Sequence, residues 1–170
     1  MNQIYKINKQ FIVPFIIAVA LLLVLWALSL FDGQTWESII LTVLCLTTMV
    51  IAIEAYERAF TASENGLRIK KFFRIKNFTW AEITHLGVVI MRNKAYFLLT
   101  TTKGFYMFSN LLQDHTRLIR YLAEKLEDEK VEVEIKNYLA NPIERTSLII
   151  LTWIVLIVIV AIILTKLVTF

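Results

Sequence analysis

Three long apolar runs bracket a central stretch whose hydrophobic positions follow shorter periods. Phe11 to Phe31, Ser38 to Ile53 and Thr146 to Thr165 contain no charged residue. A helix that crosses a ~30 Å hydrocarbon core needs about 20 apolar residues. The first and third runs, 21 and 20 residues long, meet that directly. The second has 16, and Trp36 and Tyr56 at the two headgroup levels extend it. Its alternative, a buried core helix, fits poorly after a six-residue connector, Asp32 to Glu37, from a spanning helix. For the first run the alternative is a cleaved leader, with Lys6 and Lys9 as basic region and Ala27-Leu28-Ser29 as cleavage site. Its apolar run is longer than a usual leader's, and cleavage would remove one span without reorienting the rest.

Lysine and arginine set the expected orientation. Lys6 and Lys9 precede the first span, the connector after it has neither residue type, and Arg58, Arg68, Lys70 and Lys71 follow the second span. The tail after the third span has only Lys166. The consistent arrangement is a multi-pass cell-membrane protein with N-terminus and central region cytoplasmic and C-terminus outside. The third span is expected to start on Asn141 as N-cap, with Pro142 in the first turn and Glu144 completing a capping box.

Between the second and third spans the period changes twice. Leu67, Ile69, Phe73 and Ile75 alternate with Arg68, Lys70, Arg74 and Lys76, as in a half-buried strand. Lys71-Phe72 breaks the alternation, so a bend or a second strand begins near Arg74, and Asn77 to Trp80 is extended. His85 to Met91, Ala95 to Thr101 and Phe105 to Phe108 read as strands joined by turns at Arg92-Asn93-Lys94 and Lys103-Gly104. Leu111, His115, Leu118, Ile119, Leu122 and Leu126 then fall at helical spacing, with Asn110 and Gln113 as capping pair. Val131 to Tyr138 fits either a last strand or a continued helix.

Thr61 to Ile69 and Phe78 to Thr84 resemble the bacterial PH-like domains. The resemblance rests on Gly66-Leu-Arg-Ile69, Trp80-Ala-Glu-Ile83, the Lys103-Gly104 hairpin and a terminal helix over roughly Asn110 to Asp128, and spans about half the chain. It implies an α+β membrane protein: three transmembrane helices with a cytoplasmic PH-like β-barrel capped by a C-terminal helix. Such domains often follow two N-terminal membrane helices, and the third span departs from that arrangement. The expected division is an N-terminal helix pair over 1–56, a PH-like domain over 57–141 and a C-terminal membrane helix over 142–170.

Composition narrows the function. The chain has 170 residues, 58% hydrophobic, and a net charge of +4. One cysteine, Cys45, excludes an intrachain disulfide framework. From Arg58 to Lys103 there are nine basic residues against two acidic, while Gly104 to Arg145 carries an acidic excess. Arg68, Lys70, Lys71, Arg74 and Lys76 are therefore the candidate contact for anionic lipid or a partner, against the plainer reading of a solvated strand face. Nucleic acid is not an expected partner of a membrane-held domain with one basic half.

No catalytic, cofactor-binding or metal-binding residue is assigned. His85 and His115 have no ligand-spaced partners. Ser109 lacks a nucleophile elbow, and four glycines form no phosphate loop. Trp80 is expected as a core anchor, Glu82 as solvent-facing or a turn cap, and Glu54 as reaching the headgroups. Thr42, Thr47, Thr48 and Thr152 are candidates for close helix packing or self-bonding. The leading expectation is a non-enzymatic accessory or scaffold subunit that contacts another membrane protein at the cytoplasmic face. The alternatives are a lipid-sensing surface module that uses the basic strand face, and a subunit of a transporter or pore complex. Membrane lipids are expected partners, and a homo-oligomer is open.

Overall fold

The computed structural model describes residues 3–31 and 35–169; residues 32–34 of the expected outer connector lie outside them. The chain forms two compact units, one of residues 1–8 with 57–146 and one of residues 9–56 with 147–170. Residues 3–8 thus group with the β unit rather than with the helix pair. The cause is a short alternation beside the long apolar run: Tyr5 and Ile7 are buried while Ile4 and Lys6 are exposed. Strand β1 (Gln3–Lys6) pairs antiparallel with β2 (Ala59–Ser63), Lys6 opposite Ala59. Beyond it, Asn8 N–H donates to the Leu111 carbonyl at 2.9 Å, and Gln113 N–H donates to the Lys6 carbonyl at 2.8 Å.

Strands β3 (Gly66–Lys71) and β4 (Arg74–Thr79) complete a four-stranded sheet in the order β1-β2-β3-β4. The break at Lys71-Phe72 is a two-residue hairpin turn. Phe73 and Ile75, expected on a buried face, are 62% and 49% exposed. The turn resets the phase, so it is Phe78 that lies opposite Leu67 and enters the core. Strands β5 (Ile83–Met91), β6 (Lys94–Thr101) and β7 (Gly104–Ser109) form a second antiparallel sheet. No ladder joins the two sheets into a closed barrel among the described residues.

The core is aromatic. Phe108 packs on Phe60 at 5.0 Å and on Phe97 at 5.1 Å, and Phe97 meets Tyr138 edge-on at 5.1 Å. Each such buried ring contributes roughly 1.5–3 kcal/mol. Helix α3 (His115–Lys125) buries His115, Leu118, Ile119 and Leu122, the predicted stripe. Its N-cap is Asp114, not Asn110. The Asn110 amide is drawn inward and donates to the Ile143 carbonyl at 2.8 Å. After α3, Val131 bridges Leu86 of β5, and a separate helix (Val133–Ala140) follows. Buried Ile135 and Tyr138, three apart, set the helical phase that alternating Val-Glu left open.

Glu132 fastens this return to β5. Its backbone N–H donates to the Leu86 carbonyl, and its carboxylate accepts from Val88 N–H at 3.2 Å and contacts His85 Nε2 at 2.8 Å. A Cβ on Gly87 would stand 2.6 Å from Glu132 Oε2, so any other residue there would displace the carboxylate.

The helix unit contains three helices long and apolar enough to cross a membrane: Lys9–Phe31, Thr35–Glu57 and Thr146–Val168, with mean hydropathy 3.0, 2.2 and 3.3. We number them α1, α2 and α5, with Val133–Ala140 as α4. The second run is thus extended at both ends to full spanning length. Helix α5 begins at Thr146, and Asn141 is instead the C-cap of α4. Residues 141–145 stay out of the helix while the Ile143 carbonyl accepts from Asn110. Leu22 and Leu25 of α1, Leu41 and Cys45 of α2 and Ile163 of α5 form one buried cluster. Trp26 Nε1 donates to Thr42 Oγ1 at 2.8 Å, and Lys166 pairs with Glu37 at 2.8 Å.

Two predictions follow from the β unit. Residues 3–8, joined by a short Gly-Ser turn to residues 57–146, will fold cooperatively, because Lys6 already faces Ala59. Residues 57–146 alone, with β2 unpaired along one edge, will denature at lower urea; equal midpoints would contradict the β1 assignment. Gly87→Ala will displace the Glu132 carboxylate and cost about 0.5–1.5 kcal/mol in urea denaturation of the joined unit; an unchanged midpoint would show that the clamp is slack.

Candidate functional site: a basic and aromatic groove

The register of the β3–β4 hairpin divides the five candidate basic residues between two faces. In an antiparallel pair, residues opposite each other share a face. Lys71 faces Arg74, Ile69 faces Lys76 and Leu67 faces Phe78. Lys71, Arg74 and Lys76 therefore stand on the face that carries the buried Leu67 and Ile69. Arg68 and Lys70 stand on the other, opposite Asn77 and Ile75. Lys70 is engaged there by Glu57 at 3.0 Å. Arg68 instead lines a concavity of about 590 Å³ near the β2–β3 turn, with Ser63 and Asn65.

Lys71, Arg74 and Lys76 overhang a second groove, of about 450 Å³. Its apolar side comes from Ile69 and Phe72 and from Phe105, Tyr106 and Met107 of β7. Lys76 Nζ stands 5.4 Å from the Tyr106 ring centre, and Lys71 Nζ 5.5 Å from that of Phe72. No carboxylate pairs with Lys71, Arg74 or Lys76 among the described residues. Three cations around an apolar groove, two of them over aromatic rings, suit a ligand with an anionic head and an apolar body.

The hairpin tip is unusual in its residues. Phe72 and Phe73 both have positive φ, 50° and 59°. A two-residue turn of this hand is normally Asn-Gly or Asp-Gly, because Cβ-bearing bulky residues are strained there. Both rings are nonetheless exposed, at 63% and 62%, and Phe105 reaches 84%. These aromatic residues were not among the predicted site residues. The signal that could have found them was Phe-Phe set between Lys71 and Arg74 at the point where alternation fails.

The register also says where the tip lies. Lys6 and Ala59, one residue pair of the sheet, are three and two residues from Lys9 and Glu57 along the chain. Lys70 lies opposite Ala59 on β3, so Lys71 and the Phe72-Phe73 turn come just beyond it. The groove and tip thus occupy the end of the sheet from which the chain continues into α1 and α2.

The remaining candidates are accounted for within the fold. Ser109 Oγ accepts from Arg145 at 3.3 Å, while His85 bonds Glu132 and His115 bonds Tyr138. No group of three His, Cys, Asp or Glu side chains could hold a metal ion among the described residues. Trp80 is half-buried rather than a core anchor: its Nε1 donates to the Glu64 carbonyl at 2.8 Å and its ring meets Tyr121. Glu82 caps the turn after β4 by accepting from Thr79 N–H at 2.9 Å, and pairs with Lys103. Glu54 is buried in the helix unit. Thr47, Thr48 and Thr152 bond carbonyls of their own helices at 2.8 Å.

No protein-family model, curated protein or solved structure matches this chain.

His115 supplies a pH test of the fold that carries the groove. Its Nδ1 lies 3.3 Å from the Leu112 carbonyl and its Nε2 2.7 Å from the Tyr138 hydroxyl, which is 3.1 Å from the Ile143 carbonyl. Burial lowers its pKa from 6.5, against the opposing pull of the Leu112 bond, Glu144 and Asp114. Burial also pushes Tyr138 up to about 12. An unfolded chain binds the His115 proton first, so this stabilisation is full above pH 6.5 and is lost as pH falls through the lower folded value. The stability advantage of the joined β unit over its His115→Gln variant will shrink across that window; a constant difference would contradict a neutral buried ring.

Proposed function

We propose that this chain is a non-enzymatic, membrane-anchored surface module. In this reading three helices span the cell membrane and the β unit lies on the cytoplasmic side, where it contacts the anionic leaflet. Its fold is taken to be PH-like, with four strands, then three, then an amphipathic helix, as the resemblance implies.

The observation that carries the reading is the placement of Lys71, Arg74 and Lys76 around one groove at the sheet end next to both helix connections. A basic side chain at an anionic surface gains ~1 kcal/mol. Three together give about 3 kcal/mol, on the order of a hundred-fold in occupancy. Covalent attachment to spanning helices supplies the rest by keeping the local lipid concentration high. Lys70, paired with Glu57, and Arg68, on the opposite face, are secondary contributors. An accessory role toward a second membrane protein is the competing proposal, and the same experiment separates the two.

The experiment is amide hydrogen exchange on the full chain in nanodiscs of zwitterionic or anionic phospholipid. Exchange over residues 66–79 and 104–109 will slow in the anionic discs. Changing Lys71, Arg74 and Lys76 to Gln will abolish that difference, and changing Arg68 alone will leave most of it. Identical exchange in both lipids would refute the surface reading. A stoichiometric membrane partner, recovered only when the β unit is intact, would then favour the accessory role.

A further inference from the structure

We propose that the Phe72-Phe73 turn is a membrane wedge: both rings enter the boundary between headgroups and acyl chains of an anionic bilayer, while Lys71, Arg74 and Lys76 hold the phosphates above them. The proposal rests on the membrane-surface reading and adds to it an inserted element, its depth and its residues.

Three observations converge on this turn. The first is conformational. Two phenylalanines occupy consecutive positions with φ of 50° and 59°, where glycine or asparagine is preferred. Local strain kept at a surface turn points to a use outside the fold. Neither ring repays the strain by burial, since each is more than three-fifths exposed.

The second is chemical. Exposed Phe105 and Met107 line the groove beside Phe72, at 84% and 50%. These apolar side chains form a patch rimmed by Lys71, Arg74 and Lys76, with which no carboxylate pairs among the described residues. A patch of this composition matches a leaflet, with anionic phosphates over hydrocarbon, in the same vertical order. An acidic protein surface would satisfy the cations and leave the projecting phenylalanines in water.

The third is positional. By register the turn extends past Ala59 and Lys6, the two points from which the chain passes to the apolar helices within three residues. The β2–β3 turn at Glu64 and Asn65 lies at the other end of the same sheet. It is polar and has no exposed aromatic ring.

The test uses the full chain with Cys45→Ser, so that a single introduced cysteine carries an environment-sensitive fluorophore. Phe72→Cys reports on the turn and Asn65→Cys on the opposite end. Each is reconstituted in anionic nanodiscs with nitroxide quenchers on either the lipid headgroup or the acyl chain. The wedge predicts strong acyl-chain quenching at position 72 and none at position 65. Headgroup quenching alone at position 72 would overturn the wedge and leave the surface reading standing. No quenching from either depth would overturn both. A second variant separates insertion from folding. Phe72→Asn with Phe73→Gly fits the turn better, so its thermal midpoint will rise while the slowed exchange of residues 66–79 in anionic discs is lost. A higher midpoint with that protection unchanged would overturn the wedge.

Discussion

The pairing of β1 with β2 is the constraint on which the rest depends. Two strands separated by the whole α1–α2 hairpin meet with Lys6 opposite Ala59. Both connections to the apolar helices are thereby brought to one end of one sheet. The β2–β3 and β3–β4 registers then carry the chain back to that end, where the Phe72-Phe73 turn projects. Without residues 3–8, Phe60 and Ala62 would lie on an uncovered edge, and the β unit would lose the hydrogen bonds from Gln113 N–H to the Lys6 carbonyl and from Asn8 N–H to the Leu111 carbonyl.

The second organising feature is the route by which the C-terminal part of the β unit closes on the sheets. Glu132, seated on Gly87, clamps the segment after α3 to β5. His115, Tyr138 and Asn110 then converge on the Ile143 neighbourhood through neutral hydrogen bonds. Their burial makes each one costly to leave unpaired. These contacts hold residues 141–145 out of a helix before α5 begins at Thr146. Lys71, Arg74 and Lys76 take no part in these contacts, which allows the groove's charge to be altered without unfolding the unit.

Much of this was legible in the sequence, and the reasons are physical. The apolar runs were long enough for their period not to matter, and α3 announced itself through His115, Leu118, Ile119 and Leu122. Strands β5 to β7 followed from turn residues and β-branched runs. The errors came where a short pattern sat beside a strong one. Tyr5 and Ile7 were masked by the run that starts at Phe11, and Asn141-Pro142 imitated a helix start that the Ile143 carbonyl's bonds displace. The basic cluster was found, but its partition was not. A single-residue register in the hairpin decides which lysines share a face, and a two-residue turn at Phe-Phe is contrary to turn preference. The β7 contribution of Phe105, Tyr106 and Met107 required the tertiary structure.

The central claim is that the groove end of the sheet faces phospholipid headgroups. The most direct measurement is photo-cross-linking of the full chain, in anionic bilayers, by a lipid that carries a diazirine on its headgroup, with adducts mapped by peptide mass. Adducts concentrated at Lys71 to Lys76 and Phe105 to Met107 are the expected result. Adducts at Ser63 to Asn65 instead, or spread evenly over the β unit, would contradict it.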